Sequence, residues 1–240
     1  YPKTPIKPIT MKKNYTKRLW PFLLYVLFFI QPNTLFSQTV LTEGDIAFTR
    51  INIDDETFSF VFLVPIENGT QFVITDDAWL ASNSLNFAES RIRFVASSAF
   101  AVGEEISISS ASLAFSSSGS GTATLTSIGA YPPTSNMLGA AGDNLFVFQP
   151  EGNPGENDFI AGISANSGVP GTPGNAWQVV NSSTTSSSEL PKDLTNGSTA
   201  VGLFPYGAAQ SEVDNARYKS GALHSGDKET LLAAINNPLN

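Results

Sequence analysis

The chain has no cysteine and one histidine, His224, among its 240 residues. Without cysteine there is no disulfide framework to staple a small core. One imidazole and no thiolate leave no ordinary zinc ligand set. A nucleophile–base–orienter triad has only His224 as its usual base. His224 sits in Ala222-Leu223-His224-Ser225-Gly226-Asp227, a turn-like stretch where a surface or capping role is expected. Neither a Gly-rich phosphate loop nor a dinucleotide fingerprint occurs. Methionine is scarce, 2 residues against 17 phenylalanines, so the core is expected to be built of phenyl rings and β-branched side chains.

Positive charge is also scarce. Lys and Arg number 13 against 21 Asp and Glu, a net of −8. The first 38 residues hold six of those basic residues and no acid, so the remaining 202 carry 7 against 21, a net of −14. Such a charge disfavours nucleic acid and anionic lipid as partners and suits high solubility and divalent cations.

Long apolar runs are missing too. The longest, residues 19–30, is 12 residues and contains Pro21. A helix of that length spans roughly 18 Å, short of the roughly 30 Å hydrocarbon core. It follows the basic Met11-Lys12-Lys13-Asn14-Tyr15-Thr16-Lys17-Arg18 and precedes Gln31-Pro32-Asn33-Thr34 and Leu35-Phe36-Ser37-Gln38. A basic segment, a short apolar run and small residues at a cut site form a secretory signal. Residues 11–38 are therefore expected to be a signal peptide cleaved after Ser37 or Gln38, and residues 1–10 an upstream extension. The product is expected to be secreted or held at the cell surface, with no stable membrane span after cleavage. Absence of cysteine in an exported chain fits a bacterial envelope protein better than a small eukaryotic secreted module.

Residues 39–240 are expected to form a single domain. Short apolar runs recur between turn residues, at 44–50, 57–64, 71–76, 91–95, 105–110, 122–127, 144–149, 159–163 and 200–204. In 57–64, Phe58, Phe60 and Phe62 fall on one face while Val61 and Leu63 make the other face apolar, which predicts a strand covered on both sides. Asn68-Gly69 is a hairpin signal, so 44–50, 57–64 and 71–76 are expected to form a β-meander. Ile106 and Ile108 alternate with Ser107 and Ser109, the pattern of a half-exposed strand. Residues 150–174 and 181–188 read as surface loops. One helix is expected over 227–236, with acids in its first turn and Leu231, Leu232 and Ile235 as a stripe for docking on a sheet. The expected fold is an all-β sandwich, immunoglobulin-like or similar, with long loops and a short C-terminal helix.

Several phrases carry a resemblance. They are Leu41-Thr42-Glu43-Gly44-Asp45-Ile46-Ala47-Phe48, Gln71-Phe72-Val73-Ile74-Thr75-Asp76-Asp77-Ala78-Trp79, Gly142-Asp143-Asn144-Leu145-Phe146-Val147-Phe148, Phe159-Ile160-Ala161-Gly162-Ile163 and Leu232-Ala233-Ala234-Ile235-Asn236-Asn237-Pro238. Their order resembles the N-terminal module of large exported Bacteroidetes surface proteins that use the type IX secretion route. The Gly-Asp-led strand and the Trp beside an Asp also resemble the lamin-tail domain, an immunoglobulin-like sandwich. Neither family supplies catalytic residues. The first resemblance implies a continuation beyond residue 240.

Two sets of side chains are candidates for binding. Asp54 and Asp55, with Asp76 and Asp77, would serve as calcium ligands if loops brought them to one end of a sandwich, since calcium takes six to eight oxygens. Turn chemistry explains the same acids without a metal and is the preferred reading. Adjacent acids do not suggest a glycosidase, because neighbours on a strand face opposite ways. Trp177 lies in a Gly/Pro-rich stretch and is a candidate for stacking on a sugar ring; Trp79 follows a strand and is expected to plug the core. Asn68, Asn181 and Asn196 begin glycosylation sequons that mark turns in a bacterial protein. No catalytic residue and no cofactor is expected, calcium excepted. The leading expectation is a non-catalytic module with an adhesive or structural accessory role and a cell-surface glycan or protein as partner. The alternatives are a carbohydrate-binding module of a polysaccharide-degrading protein and a secreted carboxylate-dependent hydrolase.

Overall fold

A computed structural model describes residues 1–5, 38–128, 137–140, 142–149, 154–155, 158–166, 177, 188–203, 213, 215–219 and 221–240. The chain divides into Tyr1–Leu35 and Phe36–Asn240. Of the first unit only residues 1–5 are described, without regular structure. The expected leader, most of the two expected loops and the Asn181 sequon lie outside the described residues. No helix among the described residues is long and apolar enough to cross a membrane.

The second unit holds, in chain order, β1 Ile46–Asn52, β2 Thr57–Phe62, β3 Gln71–Thr75, β4 Trp79–Leu80, β5 Ser84–Leu85, β6 Arg91–Ala96, β7 Glu105–Ser109, β8 Ala114–Ser117, β9 Ala123–Ile128, β10 Asn144–Phe148, β11 Phe159–Ser164, β12 Ala200–Gly202, β13 Asn215–Arg217 and α1 Lys228–Ile235. One sheet has the order β13-β1-β2-β7-β8 and the other β12-β11-β10-β3-β6-β9, while β4 and β5 form a separate ribbon. Every described pair is antiparallel except β11 with β12. The fold is an all-β sandwich with one short C-terminal helix.

Phenylalanine joins the two sheets. Phe58, Phe60 and Phe62 of β2 are fully buried, as period-two alternation requires. The Phe60 ring meets Phe72 of β3 at 5.9 Å and Phe94 of β6 at 6.2 Å, both edge-on, and Phe72 and Phe94 stack at 4.5 Å. Each such side chain contributes about 2–3 kcal/mol by leaving water. The other face of β2 is covered as well. Leu232 and Ile235 of α1 pack on Ala47 and Leu63, with Val61 beside them. Asp227 caps α1 by accepting from the Thr230 N–H at 2.8 Å. Gly44 makes this docking possible: its φ is +74°, and a Cβ there would lie 2.6 Å from Leu232 Cδ1.

The second sheet also has an outer cover. Val73, Phe146, Phe148 and Phe159 pack with Trp79, Leu85 and Trp177 outside it. All five residues of β10 are buried for that reason.

The expected meander does not form. β1 pairs with β2, but β3 lies in the opposite sheet between β10 and β6. Both edges of β2 are taken, by β1 and β7, so β3 cannot sit beside it. The Asn68-Gly69 turn exists, with the Thr70 N–H donating to the Glu67 carbonyl and Gly69 at φ +88°, yet it carries the chain across the core rather than closing a hairpin. Three inward phenyl rings on β2 need facing partners, and Phe72 and Ile74 supply them from the other layer.

Candidate functional site

The four aspartates proposed as calcium ligands separate by environment. Asp54 and Asp55 are exposed in the β1–β2 turn, where Asp54 accepts from Asn215 Nδ2 at 3.0 Å and Asp55 from Asn52 Nδ2 at 2.9 Å. Asp76 and Asp77 are buried where β3 ends. Among the described residues no group of three or more His, Cys, Asp or Glu side chains is placed to hold a metal ion.

Asp77 is fully engaged. Oδ1 accepts from the Glu89 N–H at 3.0 Å, and Oδ2 accepts from Thr75 Oγ1 at 2.9 Å and Arg91 Nε at 2.6 Å. The Arg91 guanidinium in turn lies 4.1 Å above the Phe87 ring. Asp76 accepts from the Ser90 N–H at 2.7 Å. Asp143, from the Gly-Asp entry to β10, accepts from the N–H groups of Gly139 and Asn144, both at 2.7 Å. Asn144 Nδ2 reaches the Asp76 and Asp77 carbonyls at 3.3 and 3.4 Å. Burial, then the charges of Asp143 and Glu89, push Asp76 up to about 10. Burial, with Glu56 nearby, pushes Asp143 up to about 7. Chemically this cluster is a set of loop clips in which Asp76 and Asp143 are held towards the protonated form.

A similar clip closes the opposite strand ends. Glu104 accepts from the Ala101 N–H at 2.9 Å, the Gly121 N–H at 2.7 Å and Ser117 Oγ at 2.5 Å. Burial opposes its charge, but these hydrogen bonds hold it below the usual carboxylate range. Asp45, in the other Gly-Asp pair, accepts from the Thr42 N–H at 2.7 Å and pairs with Lys228 of α1.

Trp177 is 5% exposed, stacks on Phe146 at 5.6 Å and donates through Nε1 to Asn196 Oδ1 at 3.1 Å. Both sides of its chemistry are thus spent inside the protein, and a sugar has no free ring face to meet there. Trp79 is buried edge-on to Phe159 at 5.0 Å, the plug expected of it. His224 is exposed before α1 and lies edge-on to Tyr218 at 5.6 Å.

The open surface lies elsewhere, where β13 and the approach to α1 meet β1. A hollow of about 200 Å³ is walled by Val61, Leu63, Tyr218, His224, Glu105 and Arg217. The exposed Leu223 and Val102 also border it. Tyr218 is fixed there by donating its hydroxyl to the Leu223 carbonyl at 2.7 Å. A second hollow, about 310 Å³, is lined by Arg50, Ile51, Asn52, Asn215, Ala216 and Arg217. In the β1–β13 register Arg50 stands directly opposite Arg217. Neither guanidinium has an ion pair or hydrogen bond among the described residues, whereas Arg91 and Lys228 each hold an aspartate.

Sequence reasoning passed over this pair. Asn215-Ala216-Arg217 has no apolar alternation to announce a strand, and only the strand register brings residue 217 beside residue 50. Comparison with family models, with curated proteins and with solved structures finds no match for this chain.

Proposed function

We propose that the chain is a non-catalytic module of an exported or cell-surface protein, with an adhesive or structural accessory role. The observation that supports the reading is a division of labour among polar groups. The buried carboxylates Asp77, Asp143 and Glu104 are spent on backbone N–H groups and neighbouring side chains that clip loops. Arg50 and Arg217, which have no ion pair or hydrogen bond among the described residues, stand on an outer face beside hollows. Catalytic carboxylates need a reacting bond within reach, whereas a binding face needs accessible groups. The basic and apolar segment over residues 11–38 and the resemblance to exported surface modules support the compartment.

The test is to incubate the purified full chain with a panel of polysaccharide, ester and peptide substrates, and in parallel with bacterial and host cell surfaces. Retention on a surface without turnover is expected. Turnover that disappears in Asp77→Asn or Asp143→Asn, each checked by its melt to be folded, overturns the reading in favour of a carboxylate-dependent hydrolase.

A further inference from the structure

We infer that Arg50 and Arg217 form a binding site for an acidic glycan, with the guanidinium pair taking a carboxylate or sulfate group and the flanking Asn52 and Asn215 meeting sugar hydroxyls. The inference rests on the module reading above and names its ligand class.

The first argument is electrostatic. Like charges directly opposite on a sheet destabilise the pairing. This chain carries only 13 basic residues against 21 acidic ones, so partners for an arginine are abundant. Yet Arg50 and Arg217 face each other across β1 and β13 with no acid on either among the described residues. Two acids of this face are engaged elsewhere: Asp54 accepts from Asn215 Nδ2 at 3.0 Å, and Glu105, which shares a hollow with Arg217, accepts from Thr49 Oγ1 at 2.5 Å. An anion between the two guanidiniums turns the repulsion into attraction locally, and the planar fork suits carboxylate or sulfate oxygens. The net negative charge of the chain disfavours extended polyanions, so the site suits a short acidic oligosaccharide.

The second argument is shape. Arg217 borders both hollows, one of about 310 Å³ containing Arg50 and one of about 200 Å³ containing Tyr218 and His224. A ligand that passes from one hollow to the other keeps its acidic group at the pair and its ring beside the aromatic wall. Asn215 donates to Asp54 and Asn52 exchanges hydrogen bonds with Asp55, and each amide keeps a second Nδ2 hydrogen for a sugar hydroxyl. An open strip with a cationic centre and amide flanks fits a short saccharide chain.

The test is calorimetric titration of the full chain with an alginate-type oligouronate, a heparin-type sulfated oligosaccharide and a neutral oligoglucan. Saturable binding of at least one acidic ligand is expected, weakening as salt rises, with no binding of the neutral one. Uronate alone or sulfate alone identifies the source of the anion. Arg50→Ala and Arg217→Ala are each expected to weaken binding at least ten-fold, and Arg217→Lys to weaken it less. Because each alanine relieves a like-charge pair, both variants are expected to melt no lower than the parent. A second readout uses the unaltered chain: ligand is expected to slow amide exchange at Arg50, Ile51 and Asn52 and at Asn215, Ala216 and Arg217. Failure of every acidic ligand to bind, equal binding by the alanine variants, equal binding of the neutral glycan, or protection confined to other strands overturns the site. Those results leave the module reading standing, which falls only to turnover.

Discussion

At the scale of single residues, most buried carboxylates serve the fold by accepting from backbone N–H groups. Asp76 and Asp143 keep protons in the fold that the unfolded chain, with carboxyls near 3.8, has released. Groups raised in this way add stability that is complete below the unfolded value and is lost as pH rises through the folded one. Glu104 has the opposite sign: its contribution is lost as pH falls below its depressed value. Stability in denaturant is therefore expected to be greatest on the acid side of neutrality, and to decline up to about 7 while both Asp143 and Asp76 keep their protons in the fold and more gently on towards about 10 on account of Asp76 alone. Asp76→Asn, neutral at every pH, is expected to flatten the alkaline limb of that profile, and a series of urea melts from pH 4 to pH 10, roughly spanning both transitions, checks it. A profile that rises steadily from pH 5 to pH 9, about the range in question, would contradict the assignment.

Gly44 gives a second prediction at the same scale. Gly44→Ala places a methyl 2.6 Å from Leu232 Cδ1 at a φ of +74°. The cost is expected to be about 1–3 kcal/mol from overpacking and backbone strain together. Gly103, at φ +83° with open space around it, is the control: Gly103→Ala pays the backbone strain alone and is expected to cost less. Thermal melts of the two variants measure the difference.

At the scale of elements, most strands were legible because apolar residues alternate in short bursts between turns. The expected runs 57–64, 71–76, 105–110 and 144–149 contain β2, β3, β7 and β10. The double cover of β2 was legible too, since Val61 and Leu63 are apolar on the face opposite its three phenyl rings. The helix prediction over 227–236 contains α1, and its expected docking stripe does bury Leu232 and Ile235. What was not legible was partnership. The Asn68-Gly69 signal specifies a tight turn but not whether the next strand lies beside the last or across the core. β4, β5, β8 and β13 are two to four residues long, too short for a period to show. The candidate face was hidden for the same reason, because it depends on β13 pairing with β1. Leu232→Ala tests the element directly. Removing this buried side chain is expected to cost about 2–4 kcal/mol and to loosen α1 from Ala47 and Leu63 without unpairing β1 and β2, which amide exchange resolves.

At the scale of the whole molecule, the sandwich has two outer covers of different kinds. α1 shields the face of β2, and the ribbon with Trp79, Trp177 and Leu85 shields the second sheet. Among the described residues, one hollow lies between α1 and β13 and the other, with the arginine pair, along β1 and β13. Trp177 drew attention in the sequence as a sugar platform, but aromaticity in a Gly/Pro-rich stretch does not distinguish a core plug from an exposed ring. Its stack on Phe146 places it among the core residues. The compartment has its own check: mass spectrometry of the exported product is expected to find a new N-terminus at Gln38 or Thr39, and a product that keeps residues 11–37 would remove the leader from the account.

The central claim is that this fold binds rather than transforms. It is tested most directly by titrating the full chain with an acidic oligosaccharide of defined length and then sizing the ligand recovered from the cell. The account predicts a saturating heat and an oligosaccharide recovered intact. A ligand shortened during the titration, with the shortening abolished by Asp77→Asn in a folded variant, would contradict it.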